Sequence, residues 1–150
     1  MFPEGIKLNK LEDFNRIGIA FSGGLDSSVL LSFITENFSP IDKLYALHVN
    51  HDVHEDSDQW EEFCKEQASK LNINFKAWKL TNLSKNSEEV LRDNRYLALQ
   101  SWAQKDDLII TAHHLDDQIE TLLFRIFRGS GINGLQGMKK YSEINELNIF

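Results

Sequence analysis

Four short strand-like runs, Ile17–Phe21, Leu44–Val49, Asn74–Leu80 and Leu108–Thr111, are separated by stretches long enough to be helices. Runs of this length are too short for stable helices, and the first is apolar throughout, as a strand buried on both faces is. The intervening stretches, Ser27–Phe38, Asp58–Leu71 and Ser87–Gln104, read as helices, and a fourth helix is expected at about Asp116–Arg128. Strands that alternate with helices must run parallel, joined by crossovers that cover both faces of the sheet. The expected architecture is therefore α/β, a doubly wound parallel sheet with helices on both faces. Leu147–Phe150 looks like a further strand cut off before its turn.

In such sheets ligands collect at the carboxyl ends of the strands. Three polar clusters fall there: Ser22–Ser28 after the first run, His48–His54 after the second, and His113–Asp117 after the fourth. The first is the most informative. Between strand and helix stands Ser22-Gly23-Gly24-Leu25-Asp26-Ser27-Ser28. Adjacent glycines let backbone N–H groups converge, and the helix N-terminus adds roughly half a positive charge, which together make an anion cradle. Hydroxyls from Ser22, Ser27 and Ser28 can donate to phosphate oxygens. Asp26 would repel phosphate unless a divalent cation lay between them, so the loop reads as a site for a Mg2+-bound polyphosphate. It is not a Walker A loop, which requires a lysine; none stands between Lys10 and Lys43. The plainer alternative is a glycine turn whose serines and aspartate merely cap the next helix.

The segment Thr111-Ala112-His113-His114-Leu115-Asp116-Asp117-Gln118-Ile119-Glu120-Thr121 opens the fourth helix. Ile119, Leu122, Leu123, Ile126 and Phe127 form one apolar stripe, and Asp117 and Glu120 share a face away from it. Helix capping accounts for one acid at the N-terminus, but not for two histidines, two aspartates and a glutamate at a strand's end. A histidine–carboxylate metal hydrolase using these groups with His48, His51 and His54 is a rival. It leaves the phosphate loop unexplained, and three histidines spaced by three across a strand end are not expected to point one way.

The chain has 150 residues, of which 41% are hydrophobic and 26% charged. That fits one domain with a substantial core. No charged-then-apolar leader and no membrane-length apolar run is present, so the chain is expected to stay in the cytoplasm, away from membranes. The single cysteine, Cys64, stands with Trp60, Phe63, Ala68 and Leu71 at helical spacing. It fits a reducing compartment and reads as a core position. Gly129-Ser130-Gly131-Ile132-Asn133-Gly134 matches a dinucleotide fingerprint but follows a helix rather than a strand. A C-cap and loop is the better account. The net charge is −7, yet Thr121–Ser142 carries Arg125, Arg128, Lys139 and Lys140 and no acid. That stretch is a candidate contact for a nucleic-acid backbone, or simply a basic surface loop.

Taken together, these segments closely resemble the tRNA(Ile)-lysidine synthetases, within the PP-loop (N-type ATP pyrophosphatase) superfamily. The resemblance runs from Ile17 to Met138. It rests on Ser22-Gly23-Gly24-Leu25-Asp26-Ser27, His48-Val49-Asn50-His51 and Glu89-Val90-Leu91-Arg92-Asp93-Asn94-Arg95-Tyr96. Above all it rests on Thr111–Thr121 followed by Arg128-Gly129-Ser130-Gly131. Two places depart from the family pattern: Asp52-Val53-His54 replaces the usual Gly-Leu-Arg, and Leu91 stands where alanine is usual. Sulfur-inserting relatives, which generally need paired cysteines or an iron–sulfur site, are the nearest alternative, with a non-catalytic adenine-nucleotide sensor behind them.

The resemblance implies a Rossmann-like fold of the adenine nucleotide alpha-hydrolase type, and a catalytic domain over residues 1–150 whose tRNA-binding domains lie beyond it. It implies a reaction in which ATP adenylates the C2 oxygen of the wobble cytidine of a tRNA(Ile) with a CAU anticodon. Free L-lysine then displaces AMP to give lysidine. The nucleotide is expected on Ala20, Ser22, Gly23, Gly24, Asp26, Ser27, Ser28, His48 and Asn50, with Mg2+ on Asp26. Asp117 and Glu120 suit the lysine ammonium, and Arg92 or Arg95 its carboxylate. His113, His114 and Glu120 are candidates for taking the amine proton. Arg125, Arg128, Gly129, Ser130 and Gly131 are assigned to substrate contact.

Overall fold

Strand β1 (Ile17–Ala20) sits inside the sheet, and its side chains show why. Ile17 and Ile19 are fully buried on one face. Gly18 faces the other, where an added Cβ would lie 2.4 Å from Leu47 Cδ1 and 2.8 Å from Trp102 Cζ3. Glycine is required there for close approach rather than for backbone freedom. The computed structural model describes residues 8–52, 54–81, 87–112, 142–144 and 147–149.

The other elements are α1 (Leu25–Asn37), β2 (Leu44–Asn50), α2 (Ser57–Lys70), β3 (Asn74–Lys79), α3 (Glu88–Trp102), β4 (Leu108–Thr111), β5 (Ser142–Ile144) and β6 (Leu147–Ile149). Strand order is β3-β2-β1-β4-β6-β5. The first four strands are mutually parallel, β6 is parallel to β4, and β5 is antiparallel to β6. The expected parallel α/β sheet is present, with an antiparallel edge strand that the sequence did not announce. The final run does form a strand. The anticipated helix over 116–128 lies outside the described residues.

Two cores flank the sheet. Ile17, Ile19, Leu44, Ala46, Leu108 and Ile110 pack with Leu30, Leu31 and Ile34 of α1 and with Cys64 and Ala68 of α2. On the opposite face Leu47 and Ile109 pack with Leu99 of α3, with Tyr45, Tyr96 and Trp102 around them. The sheet is therefore doubly wound. The α2 stripe divides unexpectedly: Cys64 and Ala68 are buried, whereas Trp60 and Phe63 are exposed and stacked on each other, ring centroids 5.2 Å apart.

At the amino ends of β1 and β4, Arg16 Nε donates to the Asp107 carboxylate at 3.1 and 3.2 Å. Its guanidinium also donates to the Trp102 carbonyl and lies 4.4 Å from the Trp102 ring centroid. Asp107 is only 2% exposed. A carboxylate buried to that degree needs such partners. The hydrogen bond to Asp107, opposed by burial, raises the Arg16 pKa above its ordinary value.

Candidate active site

Connections from β1 run outward through β2 to β3, and α3 then returns the chain to β4 on the far side of β1. The order reverses between β1 and β4, and the crevice beyond their carboxyl ends is where such a sheet binds ligands. A cavity of about 610 Å3 opens there. Ala20, Phe21, Ser22 and Ser27 border it from the β1 side, and Thr111 and Ala112 from β4. His48 and Asn50 border it from β2, His51 from just past that strand, and Leu91, Arg95 and Tyr96 from α3. Its size suits a nucleotide-sized ligand.

The Gly-Gly loop has the form of a cradle. Gly23 adopts φ +80°, and an added Cβ would meet Cys64 Sγ at 2.8 Å and Trp60 Nε1 at 3.0 Å. Only glycine fits, for conformation and for space. Helix α1 begins at Leu25, two residues earlier than its apolar pattern suggests, with Gly24 as its N-cap and no side-chain cap hydrogen bond. The first-turn N–H groups lack intrahelical partners by geometry and so face an incoming acceptor. Ser22 and Ser27 hydroxyls lie 3.0 Å apart, and Ser27 and Ser28 both donate to the Gly24 carbonyl, at 3.1 and 2.8 Å. Asp26 is exposed in the first turn. The cradle fits a polyphosphate. A single nearby carboxylate fits Mg2+, which is held chiefly by substrate phosphates and water.

The expected residues separate by position. Ala20, Ser22, Ser27, His48, Asn50 and Arg95 meet at the cavity, whereas Gly23, Gly24, Asp26 and Ser28 stand beside it and Arg92 does not border it. Asn50 is engaged within the β2–α2 loop: its amide donates to Ser57 O, Asp58 Oδ1 and Glu61 Oε2 at 3.2, 3.2 and 2.9 Å, and its oxygen accepts from Asp52 N. Asp52 has φ 52°. The position where the resembled family carries glycine is left-handed in this chain, a conformation aspartate tolerates. Leu91, the other departure, places its extra bulk on the cavity wall. His113, His114, Asp117, Glu120, Arg125, Arg128, Gly129, Ser130 and Gly131 lie outside the described residues.

His48 is buried, donates from Nδ1 to the Phe21 carbonyl at 2.9 Å and stacks on Phe75. His51, named from sequence only in the rival metal set and in the family segment, borders the cavity with its buried Nδ1 unpartnered among the described residues. Its pKa is lowered by burial, then by the charges of Arg95 and His48. His48, His51 and His54 all border the same cavity, contrary to the expectation from strand alternation, because the chain leaves the strand after Asn50. No group of three His, Cys, Asp or Glu side chains among the described residues is placed to hold a metal ion.

Residues 4–150 match the family model of the PP-loop domain. The chain belongs to the PP-loop family. Within it, this PP-loop chain is 40% identical over 133 residues to the tRNA(Ile)-lysidine synthase of Hydrogenovibrio crunogenus, an alignment spanning 85% of the chain and 31% of that protein. It is 37% identical over 136 residues to that of Legionella pneumophila strain Lens, covering 90% and 32%. The match to the Buchnera aphidicola protein of the same name is 43% over 124 residues, covering 80% and 28%. The chain thus spans about a third of the length of the curated relatives it matches. Among solved structures, the U34-tRNA thiolase NcsA from Methanococcus maripaludis superposes with TM-score 0.62 at 17% identity, covering 83% of this chain and 47% of that one. The NH3-dependent NAD synthetase from Campylobacter jejuni gives 0.55 at 17%, covering 78% and 55%. At that identity the likeness shows the PP-loop fold alone. No helix among the described residues is long and apolar enough to cross a membrane.

Proposed function

We propose that this chain carries the ATP-binding part of a tRNA(Ile)-lysidine synthase, which joins lysine to C2 of the wobble cytidine of a tRNA(Ile) with a CAU anticodon. The observation that carries the reading is the Gly23–Gly24 cradle beside the switch-point cavity, in a chain whose relatives at 37–43% identity bear that name. In the first step the cytosine C2 oxygen attacks the α-phosphorus and pyrophosphate leaves. Backbone N–H groups at the α1 N-terminus, with the Ser22 and Ser27 hydroxyls, hold the β- and γ-phosphates and stabilise the charge that builds on pyrophosphate. Asp26 would hold Mg2+, whose chemistry is to neutralise charge on the phosphate oxygens.

In the second step the lysine ε-nitrogen attacks C2, AMP leaves and the nitrogen loses a proton. Free lysine has a pKa near ~10.4, so presenting the neutral amine at pH 7 costs roughly 4–5 kcal/mol. Asp117 and Glu120 are assigned to the ammonium, Arg95 rather than Arg92 to an anionic group in the cavity, and Glu120, His113 or His114 to the proton. Arg125, Arg128 and the Gly129-Ser130-Gly131 loop are assigned to tRNA. Because the matched relatives are about three times as long as this chain, contacts to the tRNA body are assigned to sequence beyond the matched region, and a cytoplasmic site follows from the tRNA substrate. Within these 150 residues the thiolation alternative is disfavoured by Cys64: it is the one cysteine here, is buried behind Gly23, and burial followed by the Glu61 charge pushes its thiol up to about 11.

Incubation with ATP, Mg2+, radiolabelled lysine and bulk tRNA tests the reading. Label in tRNA, with AMP and pyrophosphate in equal amounts, is the expected result. AMP release without label in tRNA would transfer the chain to another adenylating activity.

A further inference from the structure

His51 and Arg95 come from different elements, the end of β2 and the middle of α3, yet border one cavity. The two histidines of the His48-Val49-Asn50-His51 segment have opposite circumstances. His48 is locked between the Phe21 carbonyl and the Phe75 ring. His51 keeps a buried ring nitrogen that nothing among the described residues satisfies. A buried polar atom without a partner is destabilising, and this one, closed to solvent as the ring stands, gains a partner when the ring turns towards a ligand in the cavity it borders.

We propose that His51 is a ligand-contacting residue which, with the Arg95 guanidinium, forms a two-donor seat for one anionic oxygen group inside the cavity. A guanidinium and an imidazole N–H both donate, and neither repels an anion, whereas a cationic group would be opposed by Arg95. Two sources share this chemistry, the α-phosphate of the nucleotide and the carboxylate of the free amino acid. The inference deepens the lysidine synthase reading, but the seat itself requires only that the cavity bind such an anion.

The titratable groups bordering the cavity around His51 are His48 from β2, His54 and Asp56 from the loop before α2, and Arg95 and Tyr96 from α3. Burial, then Arg95, then His48, lower the His51 pKa, so the ring on its own is neutral at pH 7. An anion seated against it reverses part of that effect and raises its titration midpoint.

Ring-nitrogen NMR of 15N-histidine-labelled protein reads this without any turnover. Addition of AMP, of L-lysine, or of cadaverine (lysine's carbon chain without its carboxylate) supplies the arms. A His51 shift with a raised midpoint on adding AMP assigns the seat to the nucleotide phosphate. The same response to L-lysine but not to cadaverine assigns it to the carboxylate. His51→Ala is expected to weaken the responding ligand by about tenfold or more, and His51→Gln, which keeps a donor, by less. No response to AMP or L-lysine overturns the proposal, as does a response to cadaverine equal to that of lysine. If the protein answers AMP at His51 but never labels tRNA with lysine, the reaction assignment fails while the seat stands.

Discussion

The indole N–H of Trp60 donates to the carbonyl oxygen of Ser22 at 2.7 Å, joining the first turns of α2 to the phosphate loop. Trp60 is 49% exposed, so this bond is made at the rim rather than in the core. With Gly23 pressed between Trp60 and Cys64, the shape of the loop depends on a side chain 38 residues further along the chain.

Trp60→Phe keeps an aromatic ring and removes the donor. Loss of one such bond is worth about 0.5–1.5 kcal/mol, so nucleotide affinity is expected to fall about three- to tenfold while thermal stability changes little. Titration with an ATP analogue and a thermal melt check both. An unchanged affinity would show that the loop holds its shape unaided.

Gly23→Ala is expected to abolish nucleotide binding, through positive φ and overpacking against Cys64. Those two effects should destabilise the fold by about 1–3 kcal/mol. Adding Cys64→Ala removes the closest clash but not the backbone strain. The double variant should therefore recover stability in part and binding less, as denaturant melts and nucleotide titration would show.

Asp26 occupies the first turn of α1, while the N-cap is Gly24. Asp26→Asn thus removes no cap, only a favourable charge near the helix N-terminus worth about 0.3–1 kcal/mol. AMP and pyrophosphate formation is expected to stop in a folded protein. Near-normal adenylation by this variant would remove Asp26 from the Mg2+ site.

Asp117→Ala and Glu120→Ala are expected to raise the lysine requirement at least tenfold while adenylation persists in part. Measuring AMP release and lysine transfer separately distinguishes the two steps. Equal loss of ATP binding would mark these carboxylates as phosphate or metal ligands.

Cys64 contributes to stability with a defined sign. Burial, with the Glu61 charge second, raises its pKa from 9.0 to about 11, so the folded state keeps a proton that the unfolded chain releases. That contribution is complete below about pH 9 and is lost as pH rises through about 11, because over that window the folded state binds more protons than the unfolded one. Denaturant melts over this range should show a steeper decline than Cys64→Ala shows. Parallel slopes in the two proteins would contradict the assignment.

The sheet and the cradle were legible because strand-length apolar runs and a Gly-Gly turn are local patterns. Observed strand and helix ends differ from expectation by only one or two residues. What local pattern could not show is partnership across the chain. Trp60 and Phe63 have core-like spacing with Cys64 and Ala68, yet both are exposed, and Trp60 reaches the phosphate loop. His51 was hidden by its neighbour His48, since both stand in one short segment and only the bend after Asn50 separates a locked ring from an available one. The glycine-to-aspartate departure at Asp52 carried a usable signal, because a position that is usually glycine and tolerates aspartate points to left-handed backbone. The positive φ at Asp52 agrees. Nothing local could have paired Arg16 with Asp107, 91 residues apart.

That last pairing is a clamp at the end of the sheet opposite the cavity. β1 and β4 are four residues each. They pair in parallel over their whole length, from Ile17 with Leu108 to Ala20 with Thr111, and Arg16 and Asp107 fasten them at their amino ends. The floor of the crevice is therefore set before a ligand arrives, and a nucleotide settles beyond strand ends already held in register rather than prising them apart.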